Sequence, residues 1–180
     1  MAIMIGTYTR AHFMALPEGF PAQLVEGFLV REPAPTFGHQ RIAGDVHALA
    51  RRLMGSRRAP MTPVDVLIDE LNVYQPDVVV FGTPPADDVA TEDLPVPLLI
   101  VEVLSPSSAA RDREIKRLRL LEAGVEEVWL IDREIRTIDV YDRGRHRDVP
   151  RRGHGSKAIA TQVLEGFELT ASRLFEAPRA

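Results

Sequence analysis

The stretch LLIVEVLSPSSAARDREIK, residues 98–116, decides the fold and opens with a short apolar run. The length of this run and its branched side chains are typical of a buried central strand rather than of a helix. Glu102 lies in the middle of the run, and alternation along a strand puts it on the same face as Ile100 and Leu104. A buried carboxylate is costly unless a cation, a metal or several hydrogen-bond donors compensate its charge. The stretch therefore predicts a core strand that carries a site.

A helix is predicted to follow this strand, because the chain breaks at Pro106 and then carries apolar residues at helical spacing up to Gly124, which ends it. The predicted caps at its start are Ser107 or Ser108. Its predicted inward-facing residues are Ile115, Leu118 and Leu121. The same helix carries Asp112 and Lys116. Only two of the 22 basic residues are lysines, so a lysine at position 116 hints at a need for a compact ammonium group.

Composition limits the class of protein. With 180 residues, of which 45% are hydrophobic and 27% charged, we expect a single domain spanning residues 1–180. The sequence has no apolar run of membrane-spanning length, no recognisable leader and no cysteine, so we expect a cytoplasmic protein without disulfides or thiolate metal sites. The net charge of -4 argues against indiscriminate coating of nucleic acid. Arginine clusters such as residues 143–152 have two interpretations, a solvated surface and a groove that binds nucleic acid, and we favour the surface.

The rest of the chain predicts an α/β fold, in which a mixed sheet is flanked by helices. The predicted helices cover residues 9–16, about 38–54 and 171–175. The predicted strands cover residues 61–68, 73–81, 128–131, 137–141, 158–163 and 167–169, and a hairpin or bent strand covers residues 23–30. Pro33 and Pro35 form a stiff connection, and residues 82–97 and 144–155 are predicted loops.

Asp77 begins the apolar run at residues 78–81 and lies 25 residues before Glu102, far enough for the chain to return on a neighbouring strand. If the two strands are neighbours, the two carboxylates converge, and a hard divalent cation relieves their repulsion. Such a cation polarises a phosphoryl oxygen and acidifies a bound water. Lys116 then stabilises negative charge that develops on a phosphate or positions the water.

Each of these residues also has a plainer interpretation. Asp77 after Pro76 is a common strand-entry or turn residue. Asp112 and Lys116 are spaced as an ordinary pair on a helix surface. Glu102 is a core acid that one of the many arginines satisfies. Singly, these interpretations are as good as the functional one, but together they require three unrelated coincidences.

The sequence closely resembles the Uma-two family of restriction-endonuclease-like proteins, which has the PD-(D/E)XK nuclease fold. The resemblance covers nearly the whole chain, through the segments ALPEGFPAQLVEGFLV, PAPTFGHQ, VYQPDVVVF and the long segment of residues 98–141 that ends in VWLIDREIRTIDVY. The resemblance implies a restriction-endonuclease-like core, a Mg²⁺ or Mn²⁺ cofactor and a nucleic-acid substrate, which we expect to be DNA.

The resemblance also implies roles for individual residues. Asp77 and Glu102 would be metal ligands, with the backbone carbonyl of Val103 as a third ligand. The usual nuclease pattern places a lysine two residues after the glutamate, where this chain has Leu104, and the family's lysine corresponds to Lys116. Asp77, Glu102 and Lys116 are thus the expected catalytic residues.

Three further residues have supporting roles by the same resemblance. Asp112 precedes Lys116 on the helix, and His39 matches a family histidine that opens the long helix. A helix-start histidine bonded to backbone is an equally good interpretation of His39. Gln23 stands where the family usually has glutamate, so this chain lacks a negative charge there.

The sequence therefore predicts a metal-dependent endonuclease. The principal alternative is a weak or inactive member that uses the nuclease fold to bind nucleic acid or protein, and a purely structural domain is the third interpretation. The expected oligomer is a homodimer.

Overall fold

The computed structural model describes residues 6–17, 19–31, 34–60, 62–106 and 108–176. The elements follow in the order α1 (Arg10–Met14), β1 (Ala22–Val25), β2 (Phe28–Arg31), α2 (Phe37–Met54), β3 (Val66–Asp69), β4 (Asn72–Tyr74), β5 (Val78–Val80), β6 (Leu99–Leu104), α3 (Ala109–Arg111), α4 (Arg117–Ala123), β7 (Glu127–Asp132), β8 (Thr137–Asp142), β9 (Arg151–Gly153), β10 (Ala158–Ala160), β11 (Glu168–Thr170) and α5 (Ala171–Phe175). A 3-10 turn, Thr91–Asp93, lies between β5 and β6, and a π-helical segment, Asp112–Lys116, joins α3 to α4. Within these ranges, the helices are too short or too polar to span a bilayer.

The strands of the described residues form three sheets. The largest is mixed, with the order β5-β6-β7-β8-β9, and β6 and β7 are its parallel pair. A four-stranded antiparallel sheet has the order β2-β1-β4-β3, and β10 pairs with β11. The predicted mixed sheet flanked by helices is confirmed, and two smaller sheets accompany it.

The strand β6 crosses the core of the mixed sheet, and all six of its residues are buried. Its odd-numbered residues Leu99, Val101 and Val103 share one apolar cluster with α2. Ile100 and Leu104 share the other cluster with α4. The alternation that places Glu102 on the face of Ile100 and Leu104 is therefore confirmed.

The predicted strand at residues 73–81 is wrong as a single element. It divides into β4 and β5, which belong to different sheets, and Gln75, Pro76 and Asp77 lie between them. Pro76 has no backbone N–H to donate to a neighbouring strand, so the segment leaves one sheet before it enters the other. This break brings Asp77 to the edge where the two sheets meet.

The helical run after β6 differs from the prediction in its buried face. Leu121 is buried, but Ile115 is exposed, and the inner face is formed by Asp112, Lys116 and Leu120. The π-helical segment inserts a wider turn, which rotates the polar pair toward the core. Ser108 occupies the cap position without a side-chain capping bond, so the predicted capping is also wrong for this residue.

Most other elements follow the prediction. The hairpin β1–β2, the long helix α2 and the antiparallel β7–β8 pair are confirmed. Gly27 has a φ of 77°, and a Cβ there would lie 2.6 Å from the carbonyl oxygen of Gly6, so the hairpin requires glycine.

The remaining differences concern short strands. The expected loop at residues 144–155 contains β9, and the strands predicted at residues 61–68 and 158–163 are shorter, as β3 and β10. Paired strands need a neighbour of matching register, which local composition does not reveal. The predictions for Met61, Pro33 and Ser107 lie outside the described residues.

Candidate active site

A cavity of about 430 Å³ opens between the start of α2, the end of β6 and the π-helical segment. Every side chain that the sequence singled out contributes to its wall, namely Gln23, His39, Asp77, Glu102, Asp112 and Lys116, and Val103 lines it as well. The residues come from five separate parts of the chain, namely β1, α2, the residue before β5, β6 and the π-helical segment. The fold therefore brings together the complete set of candidates.

Asp77 lies opposite the site-bearing part of β6. The strands β5 and β6 are antiparallel neighbours, with Val78 opposite Val101, and one further step of this register brings Asp77 opposite Glu102. The Val103 N–H donates a hydrogen bond of 2.7 Å to Oδ2 of Asp77. Asp77 thus terminates the strand pairing, as the plainer interpretation expects, and it also places a carboxylate beside Glu102.

Lys116 is buried among carboxylates. Its Nζ donates a hydrogen bond of 2.6 Å to Oε1 of Glu102 and lies 3.3 Å from Oδ1 of Asp112. The exposed fractions are 2% for Lys116, 5% for Glu102 and 4% for Asp112. The interpretation of Asp112 and Lys116 as a surface pair is therefore wrong, and so is the expectation of an arginine partner for Glu102.

The carboxylates outnumber the ammonium group in this cluster. Burial and, to a smaller extent, the charges of Asp112 and Asp77 raise the pKa of Glu102 to about 8, against the opposing effect of Lys116. Burial lowers the pKa of Lys116, but the charges of Glu102, Asp112 and Asp77 outweigh it, so the ammonium form is stabilised. The titrating proton therefore belongs to the carboxyl cluster, while Lys116 stays charged.

The surroundings of Lys116 hold its ammonium group in place. Its Nζ lies 5.5 Å from the centre of the buried Tyr74 ring, a distance that allows a cation–π contact. The Tyr74 hydroxyl donates a hydrogen bond of 2.7 Å to Oδ1 of Asn72, which fixes the ring. No pattern in the sequence indicated this role for Tyr74, because the contact joins β4 to a helical segment that is distant in the chain.

His39 contacts Asp77 from the first turn of α2. Its Nε2 lies 3.3 Å from Oδ2 of Asp77. This hydrogen bond raises the pKa of His39 against the effect of burial, and the charge of Asp77 and the backbone of Val103 add to the rise. Nδ1 of His39 is buried and has no hydrogen-bond partner among the described residues. His39 therefore lies near the site, and it interacts both with the Asp77 carboxylate and with the backbone of Val103.

Gln23 lies on β1, in the wall of the cavity, and is 5% exposed. Its Oε1 accepts a hydrogen bond of 3.1 Å from the backbone N–H of Gln75. This bond ties β1 to the segment that carries Asp77. The amide thus has a structural contact at the position where the resemblance expects a carboxylate.

The oxygen atoms of the site fit a small divalent cation. Among the described residues, there is no group of three or more His, Asp or Glu side chains that could bind a metal ion by themselves. Mg²⁺ needs fewer, since it is commonly held by one or two carboxylates and keeps several waters. Both backbone groups of a strand residue point to the same side, so the Val103 carbonyl faces the same edge as its N–H, which binds Asp77. Asp77, Glu102 and this carbonyl are the donors that suit the ion.

Arg133 and Thr36 are among the polar residues of the cavity wall that were not singled out from the sequence. Arg133 follows β7 directly, and its Nη1 donates a hydrogen bond of 2.9 Å to Oγ1 of Thr36. Thr36 caps α2, because its Oγ1 also accepts from the His39 N–H at 3.3 Å. A threonine three residues before the helix histidine is a recognisable capping signal, whereas Arg133 has no local signal.

Comparisons with known proteins identify the family and the fold of this chain. Residues 10–172 match the family model Uma2, described as "Putative restriction endonuclease". A crystal structure of "a putative nuclease belonging to DUF820" from Anabaena variabilis is 22% identical, with a TM-score of 0.78 over 93% of this chain and 97% of that one. A search of curated proteins found no match. The structural similarity confirms the restriction-endonuclease-like fold, and the family match covers most of the sequence. The chain belongs to the Uma2 family.

Proposed function

We propose that this protein is a metal-dependent endonuclease that hydrolyses phosphodiester bonds, with DNA as its substrate. The observation that carries the proposal is the buried ammonium group of Lys116, 2.6 Å from Glu102, in the same cavity wall as Asp77. A protein that needed only stability would gain little from this cluster, since buried ion pairs seldom stabilise more than apolar packing. The family description supports a hydrolase that acts on nucleic acid.

Asp77, Glu102 and the Val103 carbonyl would hold the cation, Mg²⁺ or Mn²⁺. When bound, such an ion supplies Lewis acidity toward the phosphate and lowers the pKa of a water. Contacts within the chain position these metal-binding oxygen atoms. The Val103 N–H fixes one oxygen of Asp77, and His39 contacts the same oxygen from the other element.

Lys116 has two tasks in this proposal. It holds the Glu102 carboxylate at 2.6 Å and so determines the position of a metal ligand. Its ammonium group also lines the cavity, where it stabilises negative charge that develops on the phosphate during hydrolysis. Asp112 keeps the ammonium group oriented from 3.3 Å away.

The test is nicking of supercoiled plasmid DNA with Mn²⁺, by wild type and by Asp77→Asn purified in parallel. We expect nicking by wild type and a rate at least about 100-fold lower for the variant. The loss of a residue that only contacts a metal ligand already lowers metal affinity or activity by up to about 100-fold. The substitution is nearly isosteric, so the bond from the Val103 N–H can persist. Chelation with EDTA should stop the wild-type reaction.

Two outcomes would contradict the proposal. Equal nicking by both proteins would identify a contaminating host nuclease as the source of the activity. Absence of nicking by a folded wild type on both supercoiled and single-stranded DNA would favour the alternative function, a nuclease-fold module that binds nucleic acid or protein without cleaving it. Gln23 favours that alternative, because its amide brings no charge to the cavity wall.

Gln23→Glu is expected to increase Mn²⁺ affinity by roughly ten-fold. Residues that contact metal ligands, rather than the metal, change metal affinity by this order of magnitude. One carboxylate oxygen can still accept from the Gln75 N–H, while the added charge faces the cavity. Calorimetric titration of the protein with Mn²⁺ measures the change.

Gln40→Glu is the matched control, since Gln40 is exposed at the rim of the same cavity and its added charge is screened by water. An unchanged affinity for Gln23→Glu, or the same gain from both variants, would show that Gln23 does not support a metal site.

A further inference from the structure

Arg133 is a positively charged residue at the wall of the cavity with a defined position. It comes directly after β7, is half-buried and donates from Nη1 to Oγ1 of Thr36 at 2.9 Å. Within the described part of the chain, no carboxylate forms an ion pair with it. The guanidinium group therefore keeps most of its donors for another partner.

The close approach of Arg133 to α2 depends on Gly38. A Cβ at position 38 would lie 2.5 Å from Nη2 of Arg133, which is closer than atoms can pack. The guanidinium group thus lies against the helix backbone, where the Thr36 hydroxyl accepts one hydrogen bond from it and Gly38 leaves the space that Nη2 occupies. The planar guanidinium group is preorganised, so it loses less entropy for each hydrogen bond that it forms with a ligand.

The charges of the cavity separate into two regions. Lys116 is 2% exposed and contacts the carboxylates of Glu102 and Asp112, which offset part of its charge. Arg133 lines the same cavity without such compensation, and its charge opposes the rise in the pKa of His39. An anion that enters the cavity therefore meets an uncompensated cation on the α2 side.

We propose that Arg133 forms a phosphate subsite, which binds a backbone phosphate of the nucleic-acid strand beside the phosphate that is cleaved. The planar guanidinium group offers paired donors whose geometry matches two phosphate oxygens. The inference rests on the proposed nuclease function, since it assigns the ligand of that cavity. It adds a substrate contact outside the carboxylate cluster and does not require Arg133 to take part in the chemical step.

The subsite is tested by fluorescence anisotropy with a short fluorescein-labelled duplex DNA in EDTA, across a series of salt concentrations. Metal-free conditions prevent cleavage and remove the contribution of a bound cation. Arg133→Ala is expected to weaken binding by roughly ten-fold, the loss of a charged hydrogen-bonded contact. The slope of log affinity against log salt should decrease by about 0.9, as for one lost phosphate contact.

A second variant displaces the same group without removing its charge. Gly38→Ala places a methyl group where Nη2 of Arg133 lies, so the guanidinium group must move, and binding should weaken several-fold. Gly44→Ala is the matched control on the same helix, because a Cβ there meets nothing within 4 Å. Both variants should melt no lower than wild type, since alanine favours a helix over glycine.

The outcomes separate this inference from the proposed function. Weaker binding by Arg133→Ala and Gly38→Ala, with Gly44→Ala like wild type, supports the subsite, whether or not plasmid is nicked. Unchanged affinity and salt slope for Arg133→Ala would overturn it, even if wild type nicks plasmid and Asp77→Asn does not. A wild type that does not bind DNA at all would overturn it as well.

Discussion

Replacement of Lys116 by methionine is expected to lower the free energy of unfolding by about 3–5 kcal/mol, because it removes one partner of a buried ion pair. The substitution keeps an unbranched chain of similar length but leaves Glu102 and Asp112 buried without their cation. Urea unfolding in EDTA measures the loss. The protein should remain folded, since typical domains have a total stability of about 5–15 kcal/mol.

The chain provides its own control for this experiment. Lys157, the other lysine, is exposed, so Lys157→Met removes the same charge from the surface and should change stability by less than about 0.5 kcal/mol. Added Mn²⁺ should restore part of the stability of Lys116→Met, because a cation bound to the folded state compensates the same carboxylates. A loss below 1 kcal/mol would mean that the cluster protonates freely and that Lys116 is not needed to balance it.

Glu102→Gln is expected to reduce plasmid nicking by about 100-fold or more, since it removes a proposed metal ligand. It should also abolish the rise in melting temperature that Mn²⁺ produces in wild type. The amide can still accept a hydrogen bond from Lys116, and Asp112 remains as the counter-charge, so the variant should fold. Differential scanning fluorimetry with and without Mn²⁺ gives the shift directly.

The same residue predicts how metal binding depends on pH. Because the pKa of Glu102 is raised to about 8 in the metal-free protein, bound cation must displace a proton at neutral pH. Mn²⁺ affinity of wild type should therefore increase up to about pH 8 and then level off, and this increase should be absent from Glu102→Gln. Glu92→Gln, at an exposed position of the 3-10 turn, should behave like wild type. A wild-type affinity that is independent of pH would contradict the assignment.

The raised pKa of Glu102 also determines whether the metal-free protein gains or loses stability as the pH rises. The folded protein holds the Glu102 proton more tightly than the unfolded chain, whose carboxyl titrates near its ordinary value of 4.5. The stabilisation that comes from this bound proton is fully present below pH 4.5, and it is lost as the pH rises through about 8. Metal-free wild type should therefore become less stable between pH 4.5 and about 8. Glu102→Gln should lose less stability over the same range.

Several features of the site were determined by short-range sequence patterns. The apolar run around Glu102 forms a buried strand because its composition suits a two-sided core, and alternation alone assigns the carboxylate to one face. The family resemblance of residues around Asp77, Glu102 and Lys116 predicted that they share a site, and all three line one cavity. These conclusions depend on local periodicity and on matched residues, both of which a sequence displays.

Other features depended on which segments meet in space. The partner of Glu102 is a lysine rather than one of the many arginines because the π-helical segment turns Lys116 inward, and the same turn leaves Ile115 exposed. The division of residues 73–81 between two sheets, which exposes Asp77 at an edge, follows from strand pairing across the chain.

Arg133 gives the clearest case of a role that tertiary structure alone decided. It reaches the cavity only because β7 ends beside the first turn of α2 and because Gly38 leaves room there. The sequence by itself determined the fold class, the core strand and the acidic residues of the site. Only the tertiary structure decided how those charges are compensated, because compensation depends on distances between residues that are remote in the chain.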